Sequence, residues 1–192
     1  MSLDLHLIAK SLSKEPVFDL MWNTVEDSPY HREENVLVHT KMVCQWYRDN
    51  TVNPKYPEWY GLGYLACALH DVAKPTCRTL KENKQRGTYY SYDKHDVVGA
   101  RMSEEILVRA GAHEFDIYRI SWMIRHHQIF WSTKKRELRE DMARILVERD
   151  FYLPFKYFML ADDFGRIADS RDLDSFEHFR LFEQEFHIRT SL

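Results

Sequence analysis

LGYLACALHDVAKP, residues 62–75, decides how this 192-residue chain is read. Eight small or apolar residues run to Leu69 and stop at His70-Asp71, followed closely by Lys74 and Pro75. The run belongs to a longer helical segment, 57–74, with Pro57 suited to a first helical position and an expected end before Pro75. A helix this apolar belongs in a core, yet it finishes on two groups that cost energy to bury without a partner. A polar helix end is the plain explanation; a metal site is the sharper one. The sharper one requires the other apolar helices to carry misplaced His or Asp residues too, because ligands in a helical bundle project inward from different helices.

They do. His39 interrupts VLVHTKMV, His95 falls in the first turn of 93–112, His126 and His127 close 113–131, and Asp162 and Asp163 interrupt FKYFMLADDFGR. A single histidine on an apolar face is ordinary core packing, but five helices each contributing such a residue point to a shared ion. The set contains nitrogen and oxygen donors and no sulfur, which selects Mn, Fe, Co, Ni or Zn, one ion or two. Neighbours on a helix point about 100° apart. Near a frayed helix end, His70 and Asp71 can still turn to one ion, and the two oxygens of Asp71 can bridge a pair.

Apolar residues recur at helical spacing nearly throughout, and 6 Gly and 6 Pro leave little room for the turns of an all-β fold. The expected class is therefore an all-α helical bundle of six to eight helices, forming one domain over 1–192 with its core at about 28–170 and a C-terminal helix packed on it. Residues 75–92 break the pattern and read as an exposed loop or short hairpin. Asp93 reads as an N-cap and Gly111 as a helix stop. Phe176, Phe179 and Phe182 read as core packing, and Tyr89, Tyr90 and Tyr92 as residues that pack the loop down. Hydrophobic residues make up 44 % and charged residues 30 %, with a formal charge of −3. No basic block favours non-specific nucleic-acid binding. No apolar run reaches the roughly 18 residues that span a bilayer. Three cysteines, an odd number without CxxC spacing, fit a reducing cytoplasm.

VLVHT, then ALHDVAKP, then a downstream aspartate resembles the H…HD…D signature of the HD-domain superfamily of metal-dependent phosphohydrolases. The dipeptide alone is weak, since His95-Asp96 repeats it; the ordered set is specific. SPYHREENVLVHT, KHDVVGA, IRHH and ADDFGR further resemble segments of the HD domain attached to bacterial CCA-adding enzymes (tRNA nucleotidyltransferases). Two departures stand out. No nucleotidyltransferase domain is present, and Glu34-Asn35 replaces the family's glycine. The resemblance implies a first metal site of His39, His70, Asp71 and Asp162, the A-D-x-x-G-R pattern selecting Asp162 over Asp163. It implies a second site through Asp71, His95 and His126, with His127 as rival or addition. It implies hydrolysis of a phosphomonoester or a phosphodiester, 2′,3′-cyclic included, of a nucleotide or RNA end. A bound divalent ion makes hydroxide available near neutral pH and polarises a phosphoryl oxygen. Asp71 is the expected catalytic centre, with Lys74 beside it to neutralise developing charge or to compensate the end of its helix. His31, Lys74, Arg125 and Arg166 are the expected substrate contacts. Two alternatives share the ligand ring: an HD-type di-iron oxygenase, and a non-catalytic nucleic-acid module with a structural metal.

Overall fold

The structure, a computed structural model, describes residues 5–26, 31–51, 57–83, 87–128, 136–148, 150–167 and 175–188. The chain is mostly helical, as the periodicity predicts. In order it forms α1 (Leu5–Leu12), α2 (Val17–Trp22), α3 (Val36–Thr51), α4 (Pro57–Leu69), α5 (Lys74–Cys77), β1 (Thr79–Asn83), β2 (Gly87–Ser91) and α6 (His95–Arg109). It continues with α7 (Glu114–Arg125), α8 (Arg136–Glu148), α9 (Tyr152–Phe164) and α10 (Ser175–Glu185). Helix α7 ends at Arg125, short of the expected Trp131: residues 126–128 form a turn, and 129–131 lie outside the described residues, as do Ser28–Tyr30 of the quoted motif.

Helix α4 is the axis of the molecule. Leu62, Leu65, Ala66, Cys67 and Leu69 are almost fully buried, and the helix packs against α3, α7 and α9. A helix apolar on all sides must be covered on all sides, so its end, where His70 and Asp71 sit, is delivered to the middle of the bundle. Helix α3 packs on α9 and α6 packs on α7, which brings the starts or ends of all four partners toward that point. Two glycines permit the close approaches. A Cβ on Gly165, at the end of α9, would lie 2.6 Å from the backbone of Val43 in α3. A Cβ on Gly99 in α6 would meet the carbonyl of His70 at 3.2 Å.

Two further local expectations change, and a third, the hairpin, is met. Helix α4 ends at Leu69 and not at Lys74; residues 70–73 form a turn, and Lys74-Pro75 open the short α5. Proline is tolerated there because a first-turn residue needs no helical N–H bond. Asp93 does not cap α6. Its carboxylate accepts hydrogen bonds from Ser91 and Lys81, and the helix starts after Lys94, held at φ 64°. The 75–92 segment contains an antiparallel hairpin pairing Thr79 with Ser91 and Asn83 with Gly87. Of its tyrosines, Tyr92 ties the hairpin down by donating to the Val25 carbonyl at 3.1 Å, while Tyr90 stays exposed beneath the Arg78 guanidinium.

At the C-terminal end, Phe179 and Phe182 join the core against Tyr152, and Glu183 accepts from the Tyr152 hydroxyl at 2.8 Å. Phe176, from the same stripe, is half exposed and lies on Phe164. Among the described residues, no helix is long and apolar enough to cross a membrane.

Candidate metal centre

His39 points inward from α3, His70 and Asp71 from the turn after α4, and Asp162 from the last turn of α9. Their facing atoms converge. His70 Nε2 lies 3.1 Å from Asp71 Oδ2, 3.4 Å from His39 Nε2 and 3.4 Å from Asp162 Oδ1. His39 Nε2 lies 3.3 Å from Asp162 Oδ1 and 3.6 Å from Asp71 Oδ2. Ligands bound at about 2.1 Å to one ion stand about 3.0 Å apart at an octahedral edge and about 3.4 Å apart at a tetrahedral one. These spacings are therefore those of a ligand set, and the donors suit a divalent transition ion.

A second group shares Asp71. Its Oδ1 lies 3.6 Å from His95 Nε2, and His95 Nε2 lies 3.1 Å from His127 Nε2. Asp71 Oδ1 is buried without a hydrogen-bond donor, an expensive state that a cation would relieve. One aspartate thus offers one oxygen to each group.

The imidazoles are oriented by their other nitrogen. The Nδ1 atoms of His70, His95 and His127 lie 2.8, 2.7 and 2.5 Å from the backbone carbonyls of Cys67, Tyr92 and Ile124. A carbonyl only accepts, so each Nδ1 carries a proton, and in the neutral ring the Nε2 lone pair faces the cluster. His39 is oriented by a side chain. Its Nδ1 faces Glu33 Oε1 at 3.4 Å, and that oxygen also accepts from the Ile167 amide at 2.7 Å. Glu33 is a site residue that sequence reasoning passed over. Its only signal is a carboxylate six residues before His39, in a segment without periodicity.

His126 is not brought to the cluster. Its ring stacks on Trp122 with centroids 4.1 Å apart, and its Nδ1 donates to the Trp122 carbonyl. His127, one residue on in the turn that ends α7, takes the place expected of His126. Lys74 is also placed differently from either reading. It is buried at the start of α5, with Nζ 2.5 Å from Glu26 Oε1 and 2.8 Å from Asp71 Oδ2. It compensates no helix end and holds Asp71 directly. Asp163 is buried and paired with Arg166, while Arg125 is exposed at the end of α7. His31 is half-buried, edge-on to His39 at 4.7 Å between ring centroids.

Proton affinities follow the carboxylates. Burial works against a charged His39, but hydrogen bonds to Asp162 and Glu33 prevail and raise its pKa to about 9. Burial likewise opposes a charged His70, and Asp71 and Asp162 raise its pKa to about 10. His127 goes the other way. Burial and the neighbouring His95 lower its pKa to about 4. Asp71 and Asp162 are held well below the usual carboxylate range. Burial opposes this, but the cations prevail, His70 and Lys74 for Asp71 and the two histidines for Asp162.

No curated protein matches the chain significantly. The family model described as the HD domain matches residues 61–167, which include His70-Asp71, His95, His127 and Asp162. His39 precedes the match and joins the set through its geometry alone. With more than half of the chain matched, and with a His/Asp cluster able to hold a divalent ion, the chain belongs to the HD-domain family.

Proposed function

We propose that the chain is a metal-dependent phosphohydrolase whose substrate is a phosphomonoester or phosphodiester, 2′,3′-cyclic included, of a nucleotide or an RNA end. One observation carries this reading. Asp71 presents Oδ2 to the His39/His70/Asp162 group and Oδ1 to the His95/His127 group. These residues would hold a divalent transition ion, which would supply Lewis-acid activation of water and of the phosphoryl group.

The chain's own groups do the positioning. Backbone carbonyls hold His70, His95 and His127 in one tautomer, and Glu33 holds His39. Lys74 is fixed by Glu26 and steadies Asp71 in turn, so it acts as a positioning residue. Arg125, exposed near His127, and Arg166, next to the Asp162 turn, are the guanidinium groups assigned to substrate phosphate. The packing of α10 on α9 supports one domain over 1–192, and three free cysteines suit a reducing cytoplasm.

The test is a phosphatase and phosphodiesterase panel that includes 2′,3′-cyclic nucleotides. It is run across Mn, Fe, Co, Ni and Zn, with Asp71→Ala beside wild type. Phosphate ester cleavage by wild type, lost in Asp71→Ala, supports the reading. Equal activity in the two overturns it. So does oxygen uptake with iron and no ester cleavage, which favours the di-iron oxygenase.

A further inference from the structure

On the Nδ1 side of His39 lies a second group of ligand-bearing side chains, Glu26, His31 and Glu33 with His39 itself, of which the proposed function uses only one oxygen of each carboxylate, Glu26 Oε1 to hold Lys74 and Glu33 Oε1 to hold His39. Glu26 follows α2, and His31 and Glu33 lie in the segment entering α3. Both carboxylates are deeply buried, Glu26 at 4 % and Glu33 at 2 % exposure. One oxygen of each is answered, Glu26 Oε1 by the Lys74 ammonium at 2.5 Å and Glu33 Oε1 by the Ile167 amide at 2.7 Å. The other oxygen of each, Oε2, is buried with no hydrogen-bond donor.

Both of these oxygens face one atom. His31 Nδ1 lies 3.7 Å from Glu26 Oε2 and 3.5 Å from Glu33 Oε2. Two carboxylate oxygens left unanswered in a buried spot are costly. The Lys74 ammonium nearby is already shared between Glu26 and Asp71. The spacings exceed those of the His/Asp cluster. They match the tetrahedral ligand edge of about 3.6 Å around an ion with bonds of about 2.2 Å. Two carboxylates with one imidazole suit a cation between the oxygen-preferring and nitrogen-preferring classes.

We propose that Glu26 Oε2, His31 Nδ1 and Glu33 Oε2 form a third cation site, separate from the His/Asp cluster, for a divalent ion of the Mn²⁺ class. It gives His31 a ligand role in place of substrate contact. It also ties two sites together, because Glu33 faces His31 with one oxygen and His39 with the other. The site does not depend on the hydrolase reading.

Mn²⁺ stoichiometry by equilibrium dialysis and native mass spectrometry tests it, on wild type, Glu26→Gln/His31→Ala, His31→Ala and Asp71→Ala, with folding checked by circular dichroism. Wild type should hold one more Mn²⁺ than the double variant, and Asp71→Ala should keep that ion. His31→Ala alone leaves both carboxylates and the Lys74 ion pair in place and should show the same loss, which guards against misfolding of the double variant. Equal stoichiometry in wild type and His31→Ala overturns the third site. If Asp71→Ala still removes ions in that case, the His/Asp cluster stands without it. If His31→Ala removes one ion and Asp71→Ala removes none, the third site stands and the reading of the His/Asp cluster falls.

Discussion

The two halves of the His/Asp cluster are built from the same residue types and hold protons in opposite ways. His39 and His70 face Asp162 and one oxygen of Asp71, with Glu33 behind His39, and their pKa values stand at about 9 and about 10. His95 and His127 face each other and only the second oxygen of Asp71; both titrate below the ordinary histidine value, His127 at about 4. Burial lowers the affinity for a proton in both halves. The number of facing carboxylates decides which way the balance falls. At pH 7 the metal-free chain therefore carries charged imidazoles in the first half and neutral ones in the second. Metal ligands must be unprotonated, so the second half is ready for an ion while the first must release protons to take one.

Asp71 belongs to both halves, and its loss should have the largest effect. Asp71→Ala should lower phosphate ester hydrolysis by on the order of 10³-fold and empty both halves, as read by steady-state kinetics and metal analysis. Single-half variants come next. His39→Ala should remove the first ion and His127→Ala the second. If both lose the same ion, the two halves are one site.

Glu33→Gln weakens the carboxylate that orients His39 without removing a donor to the cluster. It should cost about 10–100-fold in affinity for the first ion, measured by competition with a chelator, and leave the second unchanged. Gly165→Ala drives a methyl group into the α3 backbone where α9 crosses it. A loss of about 1–3 kcal/mol is expected from overpacking, seen as a lower Tm in the metal-free and the loaded protein alike.

The pH dependence of the metal-free protein is smaller, and its sign follows from the two halves. A raised histidine pKa stabilises the fold fully below the unfolded value of 6.5, and that gain is lost as pH climbs through about 9 and about 10 for His39 and His70. A lowered one, as at His127, stabilises above 6.5, and that gain is lost as pH falls toward about 4. Asp71 and Asp162 withdraw their contribution at still lower pH. In chelator, Tm should thus be highest in a narrow window around pH 6.5, falling as pH climbs toward about 9 and 10 and as it drops toward about 4. A maximum outside that window contradicts the assignment of opposite charge states. The smallest effect belongs to His126→Ala, which should leave metal stoichiometry unchanged.

The helical bundle and most of the cluster were legible because each ligand interrupts an apolar periodicity and so announces a cost. His39, His70, Asp71, His95 and Asp162 could all be found that way. Other parts were not. His126 and His127 both bond a backbone carbonyl through Nδ1, and only the turn after α7 decides which ring faces inward. Glu26 and Glu33 lie outside helices, where no period marks a buried position. Lys74 was misread because the helix before it ends five residues sooner, and Asp93 because the hairpin claims its carboxylate before the helix can. Local rules fail here wherever a neighbouring element competes for the same group.

Anomalous diffraction from crystals of the Mn²⁺-loaded protein most directly tests the convergence of the three segments that carry the first half of the cluster. A peak is expected about 2.0–2.3 Å from His39 Nε2, His70 Nε2, Asp71 Oδ2 and Asp162 Oδ1 together. A loaded protein with no peak among those four atoms would contradict it.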